Sequence, residues 1–215
     1  GDTMPVYAVP STAGTGSEAT KNAVLSETGP HGFKKSLRHD NFIPHTALID
    51  PLLHEKCPQM VTRASGLDAV TQLLEAFVST KANPMTDALA LKGLQLAGPA
   101  LDALMDGADS PQIRRDMAIG AYLSGVCLAN AGLGLVHGFA SPLGALHEIP
   151  HGVVCGLLVG PVTATTVAEM RTQSDTAGVE RYATAARAMG FAGDSTDTVV
   201  DQLVRWFRKR AAELG

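Results

Sequence analysis

Aromatic residues are scarce in this chain, at 5% of the sequence with a single tryptophan, which leaves little material for platforms that stack nucleic-acid bases. Positive charge is not in excess either. A net charge of −4 gives no general attraction to a phosphate backbone or an acidic bilayer, so neither nucleic acid nor membrane is an expected partner. The one basic cluster, Arg205 to Arg210, reads as the polar side of a terminal helix. The three cysteines, Cys57, Cys127 and Cys155, show no CxxC spacing. Two lie in apolar runs, so free buried thiols in a reducing, cytoplasmic setting are expected. Signal peptide, membrane-length apolar run, internal repeat and long linker are not read. What remains is 215 residues, 45% hydrophobic and 18% charged, enough for a substantial core.

The first 55 residues carry strand signals. MPVYAV (4–9), residues 22–26 and 34–38 around the turn Thr28-Gly29-Pro30-His31-Gly32, and TALI (46–49) read as short strands. Between the first two lies STAGTGSEAT (11–20), a loop of small and hydroxyl residues. Its backbone N–H groups suit a phosphate or ribose, yet Gly14-Thr15-Gly16 lacks the full dinucleotide fingerprint and a plain turn is the simpler reading. Lys34 and Lys35 are anion contacts or solvated surface. His31, His39, His45 and His54 sit in polar turns and read as surface residues.

From Thr62 the period becomes helical. Leu67, Val70, Leu74, Phe77 and Val78 form an apolar stripe, with Asp68, Gln72 and Glu75 on a neighbouring face. A solvated face is the ordinary reading of such residues on a helix; against it, the small residues at 64–66 and 69 suggest close packing rather than open water. Asn83-Pro84 and Ser110-Pro111 each start a further helix. The former is expected to kink or end at Pro99, the latter to run to about Asn130 as the central helix. GVVCGLLVGPV (152–162) reads as a buried helix. Residues 175–189 and 195–213 read as amphipathic helices, the last packing through Val199, Leu203, Trp206 and Phe207.

The stretch GLGLVHGFASPLGALHEIPHG (132–152) places His137 and His151 in a segment broken by Pro142 and Pro150. Two imidazoles on separate short elements can face one point, and Asp68 with Gln72, four apart on one helix face, can meet them. An Asp/His/His set suits Zn²⁺ or Fe²⁺ with positions left open for a substrate oxygen. The His-x13-His spacing is no standard zinc signature. Each histidine taken singly also fits a hydrogen-bonded turn role, and His147 is either a proton relay or such a turn residue.

Several segments together resemble the iron-containing alcohol dehydrogenase family: PSTAGTGSEAT (10–20), IDP (49–51), SGLDAVTQLLEAFVS (65–79), ANPMTDALAL (82–91), ANAGLGLVHGFASPLGA (129–145) and PHGVVCGLL (150–158). The resemblance implies a mainly α chain, the helical domain of the dehydroquinate-synthase-like fold preceded by a few short strands. Residues 1–55 would be the remnant edge of a dinucleotide-binding α/β domain, and 56–215 the metal- and substrate-binding domain. It implies NAD or NADP, a divalent metal, an alcohol or aldehyde substrate, and a homodimer or higher homo-oligomer. Family metal ligands, an Asp, a His four residues on and two further His, fall on Asp68, position 72, His137 and His151. Position 72 is Gln here, able to offer only an amide oxygen, and Ser141 stands where the family often has another histidine. Thr12, Thr15 and Lys35 fall at cofactor contacts. Family members are considerably longer and carry a GGGS turn that these residues lack, so the fragment alone is expected to be inactive. Glycerol-dehydrogenase-like or dehydroquinate-synthase-like chemistry on the same fold, and a non-catalytic helical module, are the alternatives.

Overall fold

The computed structural model describes residues 4–214. Four short strands, β1 (Tyr7–Ala8), β2 (Asn22–Glu27), β3 (Phe33–Arg38) and β4 (Thr46–Ala47), precede seven helices among the described residues. These are α1 (Gln59–Phe77), α2 (Pro84–Met105), α3 (Pro111–Ala131), α4 (Leu135–Leu146), α5 (His151–Thr172), α6 (Thr176–Ala188) and α7 (Thr196–Ala212). The mainly helical class read from the sequence is the one adopted. Helix starts follow their caps. The Asn83 side chain accepts from the Met85 and Thr86 amides ahead of α2, and Ser110 accepts from the Ile113 amide ahead of α3.

The centre of the bundle is α1, not α3. Every residue from Gly66 to Phe77 is buried, because α2, α3, α5 and α6 surround it, whereas α3 keeps partly exposed positions such as Leu123 and Val126. The stripe read from the sequence was therefore too narrow. A buried Arg210 on α7 pairs with Asp102 and Asp106 of α2 and with Glu213, tying the last helix to the second.

Pro99, expected to kink or end its helix, and Pro142, expected to break one, do not end helices. Pro99, Pro142 and Pro161 lie inside α2, α4 and α5. A helical proline deprives the carbonyl four residues earlier of its donor. Those carbonyls belong to Gln95, Gly138 and Leu157, all exposed residues, where solvent can satisfy a carbonyl that lacks its amide partner. Pro150 does act as a break, and α5 begins directly after it.

By length and composition α5 could cross a membrane, which corrects the reading that no run was long enough. It is also less buried than expected. One face (Val154, Cys155, Val159, Thr163, Val167) is covered while Leu157 is 43% exposed. The covered face packs on α1, α4, α6 and α7.

The strands form two small sheets. β2 and β3 make an antiparallel hairpin, Asn22 opposite Arg38, which rests on α4 through the Gly29 amide bonded to the Ala145 carbonyl. β1 and β4 pair in parallel over two residues, with Tyr7 and Leu48 exposed. Parallel pairs are normally covered on both faces, so this one contributes little stability by itself. The 11–20 loop lies on the helices by backbone contact. Gly16 has φ +58°, and a Cβ on Gly125 of α3 would sit 2.0 Å from the Gly16 carbonyl oxygen. Only two glycines permit that approach.

One histidine read as surface is buried. His54 is 2% exposed, its Nε2–H donating to the Pro10 carbonyl at 3.1 Å while Nδ1 has no partner among the described residues. Burial, with Arg114 nearby, pushes its pKa below the usual 6.5 against the opposing Pro10 bond. The unfolded chain therefore takes up a proton near pH 6.5 that the folded chain refuses until lower pH. Folding stability from this residue is complete above pH 6.5 and falls as pH drops toward the folded value. Chemical denaturation of the parent and His54→Gln across mildly acidic pH should show the parent losing stability more steeply; parallel profiles would contradict the buried neutral ring.

Candidate metal centre

The centre is built outward from α1, which carries Asp68 and Glu75 two helical turns apart on one side. α3 and α4 meet at 99°, and Gly132, with φ +71°, makes the corner. This bend aims the N-terminus of α4 at Glu75. The helix has no side-chain cap of its own, Gly134 being the N-cap, so its first amides need an outside acceptor. Glu75 supplies it: Oε1 accepts from the Val136 amide at 2.7 Å. Its other oxygen, Oε2, lies 2.6 Å from His137 Nδ1. A carboxylate is well placed electrostatically at a helix N-terminus.

With Nδ1 held by Glu75, His137 turns Nε2 toward Asp68 Oδ1 at 3.1 Å. α5 brings the second imidazole. A Cβ on Gly152 would come within 2.3 Å of the Ala64 carbonyl oxygen, so this glycine lets the start of α5 abut α1. That contact sets His151 Nε2 3.8 Å from Asp68 Oδ1. One turn later, the Cys155 sulfur lies 3.7 Å from Nε2 of both histidines. One donor atom from each of Asp68, His137, His151 and Cys155 falls within 4.8 Å of the others.

These spacings suit a metal ion. Bonds of about 2.0–2.3 Å in a tetrahedron set its donor atoms roughly 3.3–3.8 Å apart, close to the 3.1, 3.7 and 3.8 Å separations present. His137 already has the usual companion of a metal-bound imidazole, a carboxylate on its other nitrogen. The Lys34 ammonium on β3 is the exception, 3.3 Å from His151 Nδ1. A neutral ring ligating through Nε2 carries its proton on Nδ1, so Lys34 must swing away when a metal binds. The histidine side chains are 10% and 30% exposed, so access is from the His151 side. A cavity of about 250 Å³ reaches Glu75 from behind, between Val136, Val159 and Tyr182, and includes none of the four donor residues.

Without a metal, protons hold the cluster together. Burial alone would raise the Asp68 pKa, but the His137 hydrogen bond and the charges of both imidazoles outweigh it and keep the carboxyl below its usual range. Burial opposes charge on His137 too, and there the bonds to Asp68, Cys155 and Glu75 prevail, raising its pKa well above 6.5. His151 moves the other way, lowered by burial and by the positive charges of Lys34 and His137 against the pull of Asp68. Burial pushes the Cys155 thiol up to about 11.

Asp68, His137 and His151, read from the sequence as ligands, are thus brought together. Gln72 is buried one turn from Asp68, but its amide oxygen accepts from the Ser124 hydroxyl at 2.9 Å. His147 is an exposed residue at the C-cap of α4, its backbone amide bonded to the Leu143 carbonyl. Thr12 and Thr15 are exposed on the docked loop, where Thr15 Oγ1 accepts from the Ser17 amide. Lys35 is exposed on β3. Strand alternation sends its neighbour Lys34 to the site instead. Sequence reasoning missed Glu75 and Cys155 as members. Both had a spacing signal, seven after Asp68 and four after His151, but each was absorbed into a helix face or an apolar run.

Residues 62–215 match the family described as "Fe-containing alcohol dehydrogenase family, C-terminal", and residues 1–51 match "Iron-containing alcohol dehydrogenase". Alcohol dehydrogenase 4 of Saccharomyces cerevisiae is 39% identical over 156 residues, which is 73% of this chain and 41% of that protein. A crystal structure of a 1,3-propanediol oxidoreductase superposes with TM-score 0.85 at 33% identity, covering 98% of this chain and 53% of that one. The sulfoacetaldehyde reductase of Bifidobacterium kashiwanohense, solved in complex with NAD+, gives 0.81 at 28% identity, covering all of this chain and 53% of that one. The chain spans about half the length of these relatives.

The contact at Gly152 generates a paired prediction. Gly152→Ala should force α5 off α1, costing about 1–3 kcal/mol of stability and weakening Zn²⁺ binding as His151 leaves Asp68. Gly138→Ala, one residue from His137 but with open space at its Cβ, should be neutral or stabilising by up to about 1 kcal/mol through helix propensity. Denaturant titrations and zinc calorimetry distinguish them, and equal behaviour would refute the close approach.

Proposed function

The chain belongs to the iron-containing alcohol dehydrogenase family, and on that premise we propose that it is the metal- and substrate-binding part of an NAD(P)-linked oxidoreductase that interconverts an alcohol and an aldehyde or ketone. The convergence of the Asp68, His137 and His151 donor atoms on one point carries this reading. A purely structural role for two histidines would not require a buried carboxylate between them. The names of the relatives agree with it, since they describe alcohol dehydrogenases and an aldehyde reductase solved with NAD+.

A divalent metal bound by these side chains supplies Lewis acidity toward a substrate oxygen, and the nicotinamide supplies the hydride chemistry. The chain's own residues do the positioning. Asp68, 1% exposed, gives negative charge in a place where water screens it little. Glu75 fixes the His137 tautomer, leaving Nε2 as the nitrogen that faces the ligand point. The packed faces of α1 and α5 close the site on two sides, while partly exposed His151 marks the side from which a small substrate enters.

The test is alcohol-dependent reduction of NAD⁺ and NADP⁺ by the full-length protein loaded with Fe²⁺ or Zn²⁺. Asp68→Asn and His137→Ala should abolish turnover. Glu75→Gln, which leaves the facing donor atoms in place but removes the charge that caps α4 and holds the His137 ring, should lower kcat/KM and metal affinity by about 10–100-fold. Full activity in Asp68→Asn would refute the site.

A further inference from the structure

Gln72 occupies the position where family resemblance places a ligand, and its amide oxygen is engaged by Ser124. A three-residue set of Asp68, His137 and His151 would then lack one protein donor. The structure holds a donor close by on another helix. Cys155 projects from α5 one turn after His151, is fully buried, and places its sulfur 3.7 Å from both histidine Nε2 atoms.

We propose that Cys155 is a metal ligand of this protein, giving an Asp/His/His/Cys set in place of one completed by residue 72, and that the site accordingly takes Zn²⁺ in preference to Fe²⁺. This deepens the dehydrogenase reading and rests on its metal centre. Geometry and charge both support it. Both 3.7 Å S–N separations lie close to the donor spacing expected around a tetrahedral ion with sulfur bonds near 2.3 Å and nitrogen bonds near 2.0 Å. Formal charges also balance locally. Asp68 and a thiolate bring two negative charges that match a divalent ion, while the Glu75 charge is met by the Val136 amide and the His137 ring. With Gln72 as ligand the thiolate charge is missing from that sum. A thiolate is a soft donor that favours zinc over harder ions, whereas an amide oxygen gives no such preference. The side chains fix the competition spatially: Gln72 faces α3, Cys155 faces the histidines.

Cobalt is the probe, since a thiolate on Co²⁺ gives a near-ultraviolet charge-transfer absorption that oxygen and nitrogen donors do not. The full-length protein titrated with Co²⁺ should show this absorption and lose it on addition of Zn²⁺. Cys155→Ser should bind Co²⁺ without it and weaken Zn²⁺ affinity by more than about tenfold, whereas Gln72→Leu should keep both the absorption and the affinity. Stoichiometric Co²⁺ binding without the absorption in the parent would overturn the assignment of Cys155 and leave the dehydrogenase site intact. No Co²⁺ or Zn²⁺ binding by the parent would overturn both. The spectrum of the parent needs no variant, so poor folding of Cys155→Ser cannot rescue the proposal.

Discussion

The Glu75 carboxylate is the contact on which the rest of the centre depends. It is buried in the middle of the bundle, where an isolated charge costs several kcal/mol at least, and it is tolerated because two kinds of donor meet it. The Val136 amide satisfies one oxygen and the His137 ring the other. The same two bonds cap α4 and orient the imidazole, so the direction of a helix and the direction of a ring are fixed by one side chain. Were His137 presented by a loop, its ring would retain rotamer freedom that ligation would have to remove.

This explains why the most buried helix is not the most apolar one. From Gly66 to Phe77 every residue of α1 is covered, yet Asp68, Thr71, Gln72 and Glu75 interrupt the hydrophobic sequence. Buried polar groups are affordable only when paired. Thr71 donates back to the Leu67 carbonyl, Gln72 meets Ser124, and the two carboxylates share His137. The bundle is thus organised around a polar seam along α1, with apolar packing on its other sides.

How much of this could be read from residues alone follows from what local sequence encodes. Helix starts at Asn83 and Ser110 were legible, because a cap is a contact over two or three residues. The meeting of Asp68 with His137 and His151 was legible only through pattern and family likeness, since nothing local spans 69 residues. The helical prolines were misread because their effect depends on whether the orphaned carbonyl faces water, a property of the folded surface. His54 was misread for the same reason: a polar turn can still be covered when another segment crosses it, as the Pro10 carbonyl does here. Cys155 sat in an apolar run, where burial and ligation leave the same trace in sequence.

The glycines of the 11–20 loop show how one composition can serve two purposes. A phosphate cradle and a backbone docking contact both need residues without a Cβ. In this fold Gly14 lies against Ser65 of α1, and Gly16 against Ala121 and Gly125 of α3, so packing accounts for both glycines. Ser65 lies three residues from Asp68, and Gly152 meets the same helix at Ala64. The loop and α5 therefore press on α1 within about one turn of the Asp68 carboxylate. Gly16 adds a second anchor on α3, so the position of the loop is fixed by the two helices together rather than by its own sequence.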